Sequence, residues 1–182
     1  VNLRACRLEL HPDGTLFCLI TGKMRDSALM AEGVGLYRSA DQGGSWSKLT
    51  GALDLRWLTD FTVDPRYSRI VYFGACDDTR GLAEGGLFGT RDGGQSWTRL
   101  LRRSSRHFGV TLHPGQPDWL YATLNYNDGV SPALWLSRDA GLTWAADEDY
   151  PFCSAHRVHF NPHDAGEIFV STYGASILHR RL

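Results

Sequence analysis

The sequence predicts an all-β fold assembled from a repeated four-stranded antiparallel unit, and three observations carry that prediction. The turn pattern Ser/Thr-x-Asp-x-Gly-x-Ser/Thr-Trp occurs three times, from Ser39 to Trp46, Thr90 to Trp97 and Ser137 to Trp144. Its aspartates, Asp41, Asp92 and Asp139, are separated by 51 and 47 residues, at or just beyond the period that marks repeat arrays. A second pattern runs in phase and adds a fourth copy: an alternating apolar segment closed by a proline, at Pro12, Pro65, Pro114 and Pro162. A further apolar run follows each proline after a few turn residues.

Each copy opens with a strand A. Two residues before the prolines stand Leu10, Val63, Leu112 and Phe160, and four before stand Leu8, Phe61, Val110 and Val158; residues two apart share one face of a strand. The proline cannot donate to a ladder and ends the strand. Strand B is the run after the turn, "LFCLIT", "IVYFGAC", "LYATLN" and "IFVSTY", with Phe17, Tyr72, Tyr121 and Phe169 in equivalent places. Strand C is "GLYRS", "GLFGT" and "ALWLS", and each leads straight into the aspartate turn. In that turn the carboxylate accepts from neighbouring backbone N–H groups, while Gly43 and Gly44 tolerate positive φ. The chain leaves through Trp46, Trp97 or Trp144 into strand D. "KMRDSALMAEG" is short and ends in glycine, which predicts a B–C loop with at most one helical turn.

Four-stranded sheets at this period, each carrying an aromatic-bearing turn, are the pattern of a β-propeller. A sheet apolar on both faces needs neighbours to cover it. The turn resembles the Asp-box, or bacterial neuraminidase repeat, and the resemblance spans nearly the whole chain. It implies a structural role for Ser39, Asp41, Gly43 and Trp46, for Thr90, Asp92, Gly94 and Trp97, and for Ser137, Asp139, Gly141 and Trp144. The aspartate ties down the C–D hairpin, and the indole anchors it against neighbouring strands. The third copy departs, with Ala140 and Leu142 where the second has Gly93 and Gln95. Residues 1-182 are read as one domain, with blade 1 at about 6-50, blade 2 at 58-101, blade 3 at 107-149 and blade 4 at 156-182. Blade 4 is expected to lack its outer strand, because "ASILHRRL" puts Arg180, Arg181 and Leu182 where a fourth box would begin. The expected architecture is an arc of about four blades, the C-terminal part of a larger propeller; a closed four-blade ring is the alternative.

A net charge of −1 gives no general attraction to nucleic acid or anionic lipid, and no apolar stretch approaches the length of a membrane span. The expected partners are a carbohydrate or a peptide or protein ligand, together with the remaining blades. Cys6, Cys18, Cys76 and Cys153 form no CxxC pair; they read as buried free thiols, with one disulfide as the alternative. A secreted or periplasmic location follows from the family resemblance alone.

The meander fixes which residues meet a ligand. If strand A starts on one face of the ring, the A–B turns and the Asp-boxes lie on the other, and the D–A and B–C loops share the first. The D–A side offers Arg56, Trp57, Asp60, Arg102, Arg103, Arg106, His107, His156 and Arg157, and the B–C side offers Asp77, Asp78, Tyr126, Asp128 and Tyr173. Aromatic and arginine side chains around a concave mouth suit a sugar or an acidic ligand. No metal site is expected: His156 and His159 sit three apart on a strand and cannot chelate together. Calcium at Asp77-Asp78 or Asn127-Asp128 is the weaker cofactor reading against none.

Sialidases of this resemblance use an arginine triad, a tyrosine with a glutamate, and an acidic residue. Arg7, Arg56, Arg106, Arg157 and Tyr173 are present, but Glu9 and Glu84 are the only glutamates near the face, and the set does not assemble. The xyloglucanase branch uses two aspartates across a wide cleft, of which Asp60 is the candidate member here. The expectation is a ligand-binding propeller segment related to carbohydrate-active proteins, without a complete catalytic set. The alternatives are part of an active glycoside hydrolase, or a scaffold like sortilin-type receptors and photosystem assembly factors.

Overall fold

In a computed structural model, the described residues are 4–25, 28–51, 53–76, 85–103, 108–125, 132–174 and 176–182. They form four blade sheets and one two-stranded hairpin, all antiparallel, and none of them is helical. Blade 1 contains β1 (Arg4–Leu10), β2 (Leu16–Thr21), β5 (Gly35–Ser39) and β6 (Ser47–Lys48), with a side hairpin of β3 (Lys23–Arg25) and β4 (Ala28–Met30) between β2 and β5. Blade 2 is β7 (Leu58–Asp64), β8 (Tyr67–Ala75), β9 (Gly86–Thr90) and β10 (Thr98–Leu101). Blade 3 is β11 (Phe108–His113), β12 (Gln116–Leu124), β13 (Leu134–Ser137) and β14 (Ala145–Ala146). Blade 4 has three strands, β15 (Arg157–Asn161), β16 (Asp164–Ser171) and β17 (Ile177–Arg181). Four meanders in chain order make a partial propeller of four blades, as the repeat predicts. The β3–β4 hairpin replaces the expected loop with a helical turn: Lys23 pairs with Met30 and Arg25 with Ala28, a ladder in which local strand pairing prevails over a weak helix signal.

The three boxes are near-copies of one hydrogen-bond pattern. In the first, the Ser39 hydroxyl donates to Asp41 Oδ1 (2.7 Å), while Ser45 donates its N–H to Oδ1 (2.8 Å) and its hydroxyl to Oδ2 (2.6 Å). Gly43 N–H donates to the Ser39 hydroxyl (2.8 Å). Thr90, Asp92, Gly94 and Ser96 repeat this, as do Ser137, Asp139, Gly141 and Thr143. The residue after each aspartate takes left-handed backbone, with φ of 57° at Gln42, 72° at Gly93 and 57° at Ala140. The third box therefore keeps the turn geometry with an alanine in a conformation that favours glycine.

The core lies in the seams between blades. Phe17, Leu19 and Leu36 of blade 1 meet Phe61, Val63 and Phe73 of blade 2. Tyr72 and Leu87 of blade 2 meet Phe108, Val110 and Leu120 of blade 3. Tyr121 and Leu134 of blade 3 meet Val158, Ile168 and Val170 of blade 4. Trp97 sits in the first seam, edge-on to Phe73 at 4.8 Å, and its Nε1–H donates to the Leu49 carbonyl of blade 1 (3.2 Å). Trp144 packs with Leu100 in the second, whereas Trp46 stays 41% exposed. Polar links cross the seams as well: Thr59 Oγ1 donates to the Phe108 carbonyl (2.7 Å) and Thr111 Oγ1 to that of Val158 (3.0 Å). The four thiols are free, but Cys6 is exposed and the other three partly so, rather than buried.

Candidate functional site

The first halves of the four inner strands converge on one carboxylate. Asp60, on β7, is only 5% exposed. Its Oδ1 accepts from Arg7 Nη1 of β1 (2.7 Å) and from its neighbour's backbone, Phe61 N–H (2.9 Å). Its Oδ2 accepts from the Val110 N–H of β11 (3.2 Å) and from Arg157 Nε of β15 (3.0 Å), and Arg157 Nη2 closes a second contact to Oδ1. Each of the four blades thus contributes a donor to the same side chain. Arg7 continues the network, pairing with Glu9 Oε2 (2.7 Å), reaching the Phe61 carbonyl and lying 4.9 Å from the centre of the Phe61 ring.

Burial dominates the electrostatics here. It lifts the Asp60 carboxyl to about 7, against the pull of Arg7 and of the Val110 and Phe61 N–H groups, with the Glu9 charge adding to the rise. Glu9 is also raised by burial, although Arg7 draws it down. His159, on β15, is lowered by burial, then by His156 and Arg7.

Tyr173 and His156 stand beside this cluster, their rings edge-on with centres 5.0 Å apart. Burial raises the Tyr173 hydroxyl, and the Cys76 thiol and Asp60 carboxylate act in the same direction. Asp60, Arg157, His156 and Tyr173 are therefore brought together. Arg56 and Trp57 lie at the blade 1–2 rim: the Arg56 carbonyl accepts from Gly22 N–H and the Trp57 carbonyl from Cys76 N–H, both at 2.8 Å. The half-buried Trp57 ring lines an open cleft of about 500 Å³ with Arg4, Lys23 and Met24. Arg106, His107 and Tyr126 lie outside the described residues, as do Asp77, Asp78, Glu84, Asn127 and Asp128. Among the described residues no three His, Cys, Asp or Glu side chains gather where a metal ion would sit.

A pair of carboxylates working across a glycosidic bond must reach substrate or water. Here both Asp60 oxygens are engaged by donors and enclosed, so in this geometry the group holds the inner strands in place. Sequence reading placed Asp60 and Arg157 on one face, but not in contact. They are 97 residues apart in the chain, and the Val110 N–H that joins them carries no side-chain signal at all.

A sequence profile of the Sortilin-Vps10 family, described as sortilin, neurotensin receptor 3, matches residues 35–174. The chain is 29% identical over 129 residues to a probable oligoxyloglucan-reducing end-specific xyloglucanase of Neosartorya fischeri, an alignment covering 64% of this chain and 14% of that protein. The GH74 xyloglucanase of Xanthomonas campestris superposes with a TM-score of 0.70 at 18% identity, over 99% of this chain and 30% of that one. A GH74 enzyme of Niastella koreensis gives 0.67 at 19% identity, over 92% and 26%. The chain thus spans less than a third of the length of each of these relatives. No helix among the described residues is long and apolar enough to cross a membrane. With the profile running from the start of β5 in blade 1 to the turn after β16 in blade 4, the chain belongs to the Sortilin-Vps10 family, and its fold is a segment of an Asp-box β-propeller.

Proposed function

We propose that this chain is a carbohydrate-binding arc, taking a β-glucan such as xyloglucan on the face shared by the D–A and B–C loops, and that it binds without hydrolysing. The observation that carries the non-catalytic part is the occupation of Asp60 by Arg7, Arg157 and two backbone N–H groups. The likeness to a xyloglucanase supports the ligand class. The half-buried Trp57 and half-exposed Tyr173 rings supply apolar surfaces of the kind on which sugar faces stack.

Titration of the 182-residue chain with xyloglucan oligosaccharides, followed by calorimetry and by reducing-sugar release, tests both parts. The expected result is saturable binding without sugar release, weakened about tenfold in Trp57→Ala, the loss expected for one stacked ring, at an unchanged thermal midpoint. Absence of binding across a β-glucan panel removes the carbohydrate reading in favour of a protein-binding scaffold. Sugar release that Asp60→Asn abolishes overturns the non-catalytic part.

A further inference from the structure

The link between blades 1 and 2 is held from both sides. Gly22 N–H, directly after β2 of blade 1, donates to the Arg56 carbonyl, and Cys76 N–H, directly after β8 of blade 2, donates to the Trp57 carbonyl, both at 2.8 Å. Two backbone bonds on adjacent residues fix the segment that carries the Trp57 indole, so its mount is in place before any ligand arrives. Beyond Gly22 the chain enters the β3–β4 hairpin, whose ladder pairs Lys23 with Met30 and Met24 with Leu29. The hairpin therefore sets Lys23 and Met24 beside that link.

Four described residues line the resulting cleft of about 500 Å³: Arg4, Lys23 and Met24 from blade 1, and Trp57 from the entry to blade 2. Arg4 reaches it from the head of β1, where it pairs with Thr21, the residue before Gly22. The cleft is thus bounded by blade 1 on one side and by the start of blade 2 on the other. Its volume falls within the range of about 300–1,000 Å³ usual for small-molecule sites. Two of the four side chains are cations and two are apolar, with no carboxylate among them. Arg4 and Met24 are exposed and Trp57 is half-buried, so both kinds of surface meet solvent. The contrast with the Asp60 cluster is direct. There Arg7 and Arg157 already face carboxylates; in this cleft neither cation does so among the lining residues.

That lining selects a ligand with two properties at once. A bare inorganic anion would leave Trp57 and Met24 without a partner, and a neutral sugar would leave both cations unanswered. A sugar ring bearing a carboxylate meets both: its C–H face lies on the indole, and its acid accepts charge-assisted hydrogen bonds, from the planar fork of Arg4 and the compact ammonium of Lys23. We propose that the cleft is a uronate subsite, taking a β-linked glycan with the acidic ring stacked on Trp57 and its carboxylate held by Arg4 and Lys23. The assignment rests on the carbohydrate reading of this face and narrows it to chains carrying acidic sugars. Oxidising the hydroxymethyl group of a β-glucan to a carboxylate keeps the stacking face and adds the charge, so of two chains otherwise alike the acidic one is the better ligand.

Calorimetric titration of the 182-residue chain with two tetrasaccharides of one backbone, cellotetraose and its oxidised counterpart tetraglucuronate, tests the subsite. A tri-glutamate peptide serves as an acid without a sugar face. At low salt tetraglucuronate should bind at least about tenfold more tightly than cellotetraose, a margin within reach of two charge-assisted contacts. Salt at ~0.5 M should cut that margin to about threefold or less, because the cations are open to solvent. Arg4→Gln combined with Lys23→Gln should erase it at an unchanged thermal midpoint, whereas Trp57→Ala should weaken both sugars alike. Equal binding of the two tetrasaccharides overturns the uronate subsite and leaves the carbohydrate reading standing. Binding of neither overturns it too, and the xyloglucan titration then decides separately whether the carbohydrate reading survives. A margin that persists in the double variant places the acid elsewhere, and a peptide that binds as tightly as tetraglucuronate reduces the cleft to a general attractor of anions; either result also overturns the proposal.

Discussion

Each box carboxylate accepts from a hydroxyl two residues before it and from the N–H and hydroxyl of a residue four after it, and these bonds favour the charged form. Asp41 and Asp139 are drawn down to about 2, and Asp92 further, the hydroxyl four residues on being the largest cause in each. The unfolded chain titrates these groups near ~3.9. A depressed folded value means stability that is fully present above that pH and is lost as pH falls from about 4 through about 2. The Asp41→Asn, Asp92→Asn and Asp139→Asn triple variant should melt lower at neutral pH and show a shallower acid decline in thermal scans; matching slopes in parent and variant would refute the assignment. The box was legible in sequence because every partner lies within four residues of the aspartate. The surroundings of Asp60 were not, because three of its four donor residues come from other strands whose relative register no local pattern encodes.

Strands and blades show the same division. Proline-ended inner strands and apolar second strands were readable because periodicity is a property of the segment itself. The β3–β4 hairpin was not, since three-residue strands leave too few residues to show a period. Seam packing was legible only in outline: Gly74 lies in an apolar run with nothing to set it apart, yet a Cβ there would sit 2.3 Å from the Phe108 carbonyl oxygen and 2.5 Å from its Cβ. Strand β8 of blade 2 approaches β11 of blade 3 so closely that only glycine fits without moving backbone. Gly74→Ala should cost about 1–3 kcal/mol, lowering the thermal midpoint by several degrees. An unchanged midpoint would mean that the seam yields more readily than its contacts imply.

At the scale of the whole arc, Asp60 couples all four blades, and its raised carboxyl reverses the sign found in the boxes. Between about 4 and about 7 the folded state binds a proton that the unfolded state has released, so this group's contribution falls as pH rises through that window. Among the described residues, Arg7 and Glu9 from β1, Arg157 from β15 and Tyr173 are charged and titratable groups facing it. Subtracting the Asp60→Asn stability profile from the parent's should isolate that slope, and a flat difference would show the carboxylate ionised throughout. Asp60→Ala, which strands both guanidinium groups and the Val110 N–H, should cost about 3–5 kcal/mol. The same arc leaves its first blade uncovered. Leu8 and Leu10 are 63% and 66% exposed, while Phe61 and Val63 in blade 2 and Val110 and Leu112 in blade 3, at the matching positions, are buried against the preceding blade. Two leucines on one face of an inner strand form the kind of apolar surface that seeks a partner. The 182-residue chain should therefore associate with increasing concentration in sedimentation, and Leu8→Lys with Leu10→Lys should suppress this without lowering the thermal midpoint. Leu8 stands between Arg7 and Glu9 on β1, so the unchanged thermal midpoint is the control that the Asp60 network is intact, and loss of association with retained stability would assign the contact to this face. A parent chain that stays monomeric at every concentration would show instead that the exposed face is tolerated by water.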